Sequence, residues 1–254
     1  MQLINTKRKW TIVALSASLC WILGGFFDLA LANSFPGRGL PGRREGAGTR
    51  SECFIGESQP ALLMPLIPES QLGITLAEYP TFFWHVPRSR AASAKFTLFS
   101  NYQGKKLYEA NLPVTNLTGI ASFTLPQNGS TSPLKVGLTY YWTLTLTCPK
   151  LNRPSTETEI LTIQGFVQRI QPSAELTAKL KKASPRELPA IFASHQIWHE
   201  TLVSLTKLRQ ENPKDASIQA DWESLMKSIK LDQFASSPLL PCCQAPSTRT
   251  ISRP

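Results

Sequence analysis

Three sets of residues in this 254-residue chain have types and spacings that can support chemistry. The first is His195 with His199, followed by Glu200. At i, i+4 on a helix two imidazoles can reach one metal ion. The order H-x-x-x-H-E matches neither H-E-x-x-H nor H-x-x-E-H, and His195 falls on an apolar stripe, where a hydrogen-bonded core histidine is common. The second is Glu157 with Glu159, which share a strand face as paired carboxylates would. Acids at a strand edge are also ordinary, and nothing in the sequence places a substrate between these two. The third is the cysteine set Cys53, Cys148, Cys242 and Cys243. Metal-binding thiolates are usually spaced by two to four residues, and the adjacent Cys242-Cys243 are not. Disulfides are the expected use.

The chain has no G-x-S-x-G elbow, no H-E-x-x-H, no P-loop glycine run and no C-x-x-C. The sequence therefore implies no cofactor and no catalytic set. Two functions are weighed. One is a non-catalytic interaction module of the cell envelope or extracellular space. The alternative is an envelope hydrolase acting on polysaccharide or peptide, metal-assisted at His195 and His199.

The N-terminus says where this chemistry would take place. Lys7, Arg8 and Lys9 precede an apolar run from Trp10 to Leu31, and Ala30-Leu31-Ala32 closes it with a small-residue cleavage pattern. That is the order of a secretory signal peptide, residues 1–32, and it implies a periplasmic or extracellular protein that meets the membrane only before cleavage. Cleavage removes three of the 27 Lys and Arg, one of the 17 Asp and Glu, and Cys20. The net charge falls from +10 to +8 and four cysteines remain. An even count in an exported chain points to disulfides. Of the three pairings, one joins Cys242 to Cys243 through a strained ring. The expectation is that Cys53 and Cys148 each bridge to one of Cys242 and Cys243.

Residues 33–60 are rich in Gly, Pro and Arg without periodicity and read as a flexible basic arm. Its Arg38, Arg43, Arg44 and Arg50 suit an anionic partner, either an envelope protein or an anionic glycan, and the plainer reading is a solvated leader that only spaces the domain from the signal. Nucleic acid is not expected outside the cytoplasm.

Residues 61–171 carry the period-two pattern of strands. Phe82, Trp84 and Val86 alternate, as do Ala94, Phe96 and Leu98, then Tyr108, Ala110 and Leu112, then Ala121, Phe123 and Leu125. Across Thr139–Cys148 the residues Tyr140, Trp142, Leu144, Leu146 and Cys148 line one face, with Thr139, Thr143, Thr145 and Thr147 on the other. A last strand covers about residues 159–167. Leu134-x-x-Gly137-x-x-Tyr140 resembles a tyrosine corner, in which a hydroxyl returns to the backbone a few residues upstream. The predicted fold is α+β: an antiparallel immunoglobulin/fibronectin-like β-sandwich followed by a C-terminal α-helical hairpin over residues 172–235. Ser173 can cap a first short helix. Ser184-Pro185-Arg186-Glu187 is a capping box opening a helix with Leu188, Ile191, His195, Trp198, Leu202 and Leu205 on one stripe. Asn212-Pro213 stops it, and Asp215 can cap a helix carrying Ile218, Trp222, Leu225 and Ile229. Residues 236–254 are a Pro- and Cys-bearing tail.

Five segments carry a resemblance: PGRREGAGTR ending at Arg50 with Cys53 beyond it, YPTFFWHVP from Tyr79, LTYYWTLTLTC ending at Cys148, QIWHETL from Gln196, and Cys242-Cys243. In this order they resemble the exported, mainly cyanobacterial proteins grouped as domain of unknown function 928. Ala47 stands where that arm is more often glycine, and His199 where an aromatic is more usual. The second departure argues against an inherited metal site. The resemblance implies export and paired cysteines and carries no activity.

Overall fold

The computed structural model describes residues 44–49, 51–56, 62–114, 118–151 and 157–240. Over these residues the fold is α+β, with two sheets and with the helices at the C-terminal end. The strands are β1 (Met64–Pro65), β2 (Leu72–Thr75), β3 (Thr81–Val86), β4 (Ser93–Phe99), β5 (Lys106–Leu112), β6 (Gly119–Thr124), β7 (Thr139–Pro149) and β8 (Thr158–Arg169). One sheet has the order β1-β3-β6 and the other β2-β8-β7-β4-β5. Pairing is antiparallel except between β2 and β8, which run parallel. This corrects the all-antiparallel expectation. The chain passes from β2 through β3 to β7 before β8 returns beside it, so no hairpin dictates their direction.

The expected alternation holds along β7, whereas β3 is buried on both faces, with Phe83 and His85 covered as well as Phe82, Trp84 and Val86. Trp142, Leu144, Leu146 and Cys148 of β7 are buried, while Thr143, Thr145 and Thr147 are half-buried on the opposite face. Phe96 of β4 lies between Trp84 of β3 and Trp142 of β7, with ring centroids at 6.4 and 6.1 Å. Phe82 and Phe123 close on Phe96 from the smaller sheet, each at 4.9 Å. The two sheets thus meet through one aromatic layer, in which Trp84 and Trp142 are both fully buried. The Tyr140 hydroxyl accepts a hydrogen bond from the backbone N–H of Lys135 at 2.9 Å, as the tyrosine-corner pattern predicts.

The helices are α1 (Ala174–Lys182), α2 (Leu188–Ser194), α3 (Trp198–Glu211) and α4 (Ala216–Ser228). Ser173 caps α1 through the Leu176 N–H, and Asp215 caps α4 through Ser217 and Ile218. The expected capping box is only half made: the Glu187 carboxylate accepts from the Ser184 N–H at 2.8 Å, but the Ser184 hydroxyl turns to that same carboxylate and α2 opens at Leu188, with Glu187 itself at the cap.

The helix expected to run through His195 is broken. His195 leaves helical geometry, Gln196 adopts a φ of 59°, and the Ile197 N–H returns to Phe192 O at 3.0 Å. A left-handed residue of this kind ends helices. The break turns Ile197 into a small cluster with Leu176 and Ile191, and it lets Trp198 enter the main core. There the indole N–H donates to Leu66 O at 2.8 Å.

Candidate functional site

The helix break separates the two histidines. His195 is exposed, with Nδ1 2.9 Å from Ile191 O. His199 is buried at the start of α3, where Nδ1–H donates to Thr81 O at 2.8 Å and the ring stands edge-on to Phe82. Desolvation holds the His199 pKa below its ordinary value, so the ring is neutral. Its Nε2 faces the backbone of Gly73, where a Cβ would lie only 2.4 Å away. Glu200 Oε1 accepts from Thr75 Oγ1, Leu76 N–H and Ala77 N–H at 2.7–3.1 Å. These residues form a structural node that fastens α3 to the segment leaving β2. Among the described residues no group of three His, Cys, Asp or Glu is placed to hold a metal.

The remaining sequence candidates are also engaged in structure. Arg44, expected in a flexible arm, is packed against the domain. Its guanidinium donates to Ile67 O at 2.7 Å, and burial lowers its pKa to about 10 against the opposing influence of Glu69. Neighbouring Ala47 pairs with Leu63, and Phe54 pairs with Ser89. The reason is apolar contact, since Ala47 and Phe54 both pack on the main core. Arg38, Arg43 and Arg50 lie outside the described residues. Glu157 pairs with Lys150 at 3.6 Å, whereas Glu159 accepts from Ser51 Oγ at 2.8 Å. The two carboxylates serve different partners.

Cys53 and Cys148 are bonded to each other, which corrects the expected bridges to the tail. Backbone pairing explains this. The Arg90 N–H donates to Cys53 O and the Ile55 N–H to Arg88 O, both at 2.8 Å, so residues 53–55 run beside the segment entering β4. That brings Cys53 to the end of β7, with both half-cystines fully buried. Cys242 and Cys243 lie outside the described residues.

A different surface has the make-up of a contact site. It is the face of the five-stranded sheet turned away from the aromatic core. In β7 this face presents Thr139, Tyr141, Thr143, Thr145 and Thr147. Register places Gln168, Phe166, Gln164, Thr162 and Ile160 of β8 opposite them. β4 and β5 add Lys95, Thr97, Phe99, Lys106, Glu109 and Asn111. At one end four aromatic rings gather. Phe99 lies 5.7 Å and Phe166 5.3 Å from Tyr141. Tyr102, from the turn between β4 and β5, reaches over both Tyr141 (5.1 Å) and Phe166 (6.3 Å).

Asn101 Oδ1 accepts the Gln103 N–H and so shapes that turn. Tyr141 and Phe166 are buried beneath Tyr102, whose own ring remains 58% exposed. Burial first, and the neighbouring Tyr102 second, hold the Tyr141 phenol above its ordinary pKa. The Tyr141 hydroxyl donates to Gln164 Oε1. Lys95 and Lys106 converge on the single carboxylate of Glu109, at 3.9 and 3.2 Å. Motif reading missed this face because no motif describes it. Its signal was Tyr141, an aromatic ring in a row otherwise made of threonine.

Residues 45–239 match the family described as Domain of Unknown Function (DUF928), and the chain belongs to it. No curated protein matches the sequence.

Proposed function

We propose that this member of the family is an exported, non-catalytic interaction module of the cell envelope or extracellular space. In this reading the domain is an immunoglobulin-like β-sandwich carrying a C-terminal helical hairpin, and it holds an anionic partner. The observation that carries the reading is the outer face of the five-stranded sheet. An exposed aromatic ring, two lysines and a field of hydroxyl and amide groups lie there on a rigid scaffold, while His199, Glu200, Arg44, Glu157 and Glu159 are all occupied in holding the domain together. Exposed aromatic surface rimmed by polar groups marks interaction sites.

The sandwich reading is supported by the single aromatic layer between the sheets and by the Tyr140–Lys135 bond. Export is supported by the disulfide, which suits an oxidising compartment. The metal-assisted hydrolase loses its basis with the separation of His195 from His199.

The test is retention of the naturally processed protein by its own envelope fraction at low and high salt. An anionic partner gives retention that falls as salt rises, because exposed charges are screened. Absence of retention at low salt would overturn the reading. N-terminal sequencing of the same material should begin at Asn33, and a start at Met1 or Gln2 on a membrane-bound form would contradict export with cleavage.

A further inference from the structure

We infer that the outer face of the five-stranded sheet is a binding platform for an acidic polysaccharide, with Tyr102 as its stacking ring. This rests on the reading of the protein as a module for an anionic partner, and it names the partner's chemistry and the place where it is held.

A protein interface has a contiguous apolar core with a polar rim. Here the large exposed apolar groups lie apart: Tyr102 stands at one end, Leu107 is exposed on the edge strand β5, and Ile160, opposite Thr147, is at the other end. Between them are Thr143, Thr145, Thr162 and Gln164, with Gln168 beside the rings. A pyranose ring has the matching make-up, with an apolar C–H face bounded by hydroxyls. Its flat face covers an aromatic ring while its hydroxyls exchange hydrogen bonds with nearby hydroxyls and amides. An exposed Tyr, apolar in body and polar at its tip, suits that contact at low entropic cost.

The ring is also held in place. Tyr102 lies against Tyr141 with the planes at 75°, an edge-to-face geometry, and Tyr141 is in turn packed on Phe99 and Phe166. The Tyr141 hydroxyl occupies Gln164 Oε1, which leaves the N–H donors of that amide for a sugar hydroxyl. Sheet strands give these groups fixed spacing, so a ligand orders few of them on binding.

Charge decides for an acidic chain over a neutral one. Across the outer positions of β4, β5, β7 and β8, Lys95 and Lys106 face one acid, Glu109. Lys105 is exposed in the same turn as Tyr102. Lys106 pairs with Phe99, so it sits two strands from Tyr141, about 10 Å away at the usual strand spacing. A polysaccharide crossing the strands meets the aromatic end on β8 and β7 and the lysines on β4 and β5. Its carboxylates or sulfates would then compete with Glu109 for those ammonium groups. Exposed pairs of this kind are weak and exchange readily.

The experiment is electrophoresis of the naturally processed protein through gels containing polygalacturonate, sulfated dextran or neutral dextran. The expected result is retardation by one or both acidic polymers and free migration in neutral dextran. Which acidic polymer acts separates carboxylate from sulfate. Tyr102→Ala should weaken the interaction about tenfold, and Lys95→Gln with Lys106→Gln should weaken it and flatten its salt dependence. Because Tyr102 is itself exposed in a turn, the variant should fold, with its unfolding midpoint lowered only by the uncovering of Tyr141 and Phe166. A shifted midpoint is met by Tyr102→Phe, which keeps the stacking ring and should bind as wild type does.

Equal retardation of wild type and Tyr102→Ala would overturn the platform. If that retardation disappears on deleting residues 33–43, the anionic-partner reading stands and only the platform falls. Free migration in both acidic gels also overturns the proposal. Retention by the envelope fraction in that case would leave a protein as the partner.

Discussion

Tyr102 stands edge-on to Tyr141, ring centroids 5.1 Å apart and planes at 75°, although the first belongs to a turn and the second to the central strand of the five-stranded sheet. The contact explains why an outward-facing strand residue is buried. It also gives a local reporter. The Tyr141 phenol is held above its ordinary pKa by burial first and by Tyr102 second. In Tyr102→Ala both causes weaken, so the Tyr141 pKa should fall toward the ordinary value of about 10. An NMR titration of the Tyr141 ring reads this directly, and an unchanged value would show that Tyr102 does not cover it.

The disulfide assignment predicts the peptide map. Under non-reducing conditions the peptide holding Cys53 should be joined to the one holding Cys148, with Cys242 and Cys243 on a separate fragment. The bridge spans 95 residues, and for a loop of that length a crosslink stabilises by roughly 2–5 kcal/mol. Replacing both Cys53 and Cys148 with Ala should lower stability by about that amount in a denaturant titration. Crosslinks from Cys53 or Cys148 to the tail would contradict the structure.

Core substitutions have clear directions. Trp84→Ala and Trp142→Ala each empty part of the aromatic layer and should each cost about 3–5 kcal/mol. Gly73→Ala places a Cβ against the buried His199 ring, which Thr81 and Phe82 hold in place, so it should also destabilise. Unfolding midpoints measure all three. A midpoint unchanged in both tryptophan variants would contradict the shared core.

Stability should fall as the pH drops below neutrality. Burial lowers the pKa of both His199 and His85 in the folded state. Above the unfolded value of about 6.5 neither state is protonated, and the full stability is present. Below it the unfolded chain takes up protons that the folded chain refuses, so stability is lost until the lowered folded values are reached. Replacing His199 with Gln should reduce that loss when unfolding is compared at pH 7.5 and pH 5. A wild-type stability that is flat or rising over this range would contradict neutral buried histidines.

Tyr140→Phe removes the hydroxyl that accepts from Lys135 N–H and should cost about 0.5–1.5 kcal/mol in a denaturant titration. No change would reduce the corner to an accident of packing.

That corner was legible in the sequence because its physics is local: a Leu, a Gly and a Tyr at fixed spacing determine where one hydroxyl goes. The same holds for Ser173 and Asp215 as caps, and for the alternation that buries Trp142 and turns the half-buried Thr143 to the opposite face. What was not legible depended on distant partners. The direction of β2 is set by pairing with β8, some ninety residues away. The break at Gln196 wins because Trp198 gains Leu66 O and Ile197 gains a cluster with Leu176, neither visible in a helical stripe. Arg44 and Cys53 looked like parts of a solvated arm because composition does not show that Ala47 and Phe54 pair across to Leu63 and Ser89. The outer face escaped for a further reason: its chemistry is spread over four strands and becomes a site only when they lie side by side.

The most direct measurement is hydrogen exchange on the naturally processed protein, alone and with soluble polygalacturonate or sulfated dextran, read at the amides of Ser100–Lys106. The amides of Ser100, Gln103, Gly104 and Lys105 are bonded within the turn that carries Tyr102 rather than to a neighbouring strand of the outer face. Binding should slow exchange there and leave exchange along α4 unchanged. A bound polymer that leaves residues 100–106 unprotected would contradict the platform.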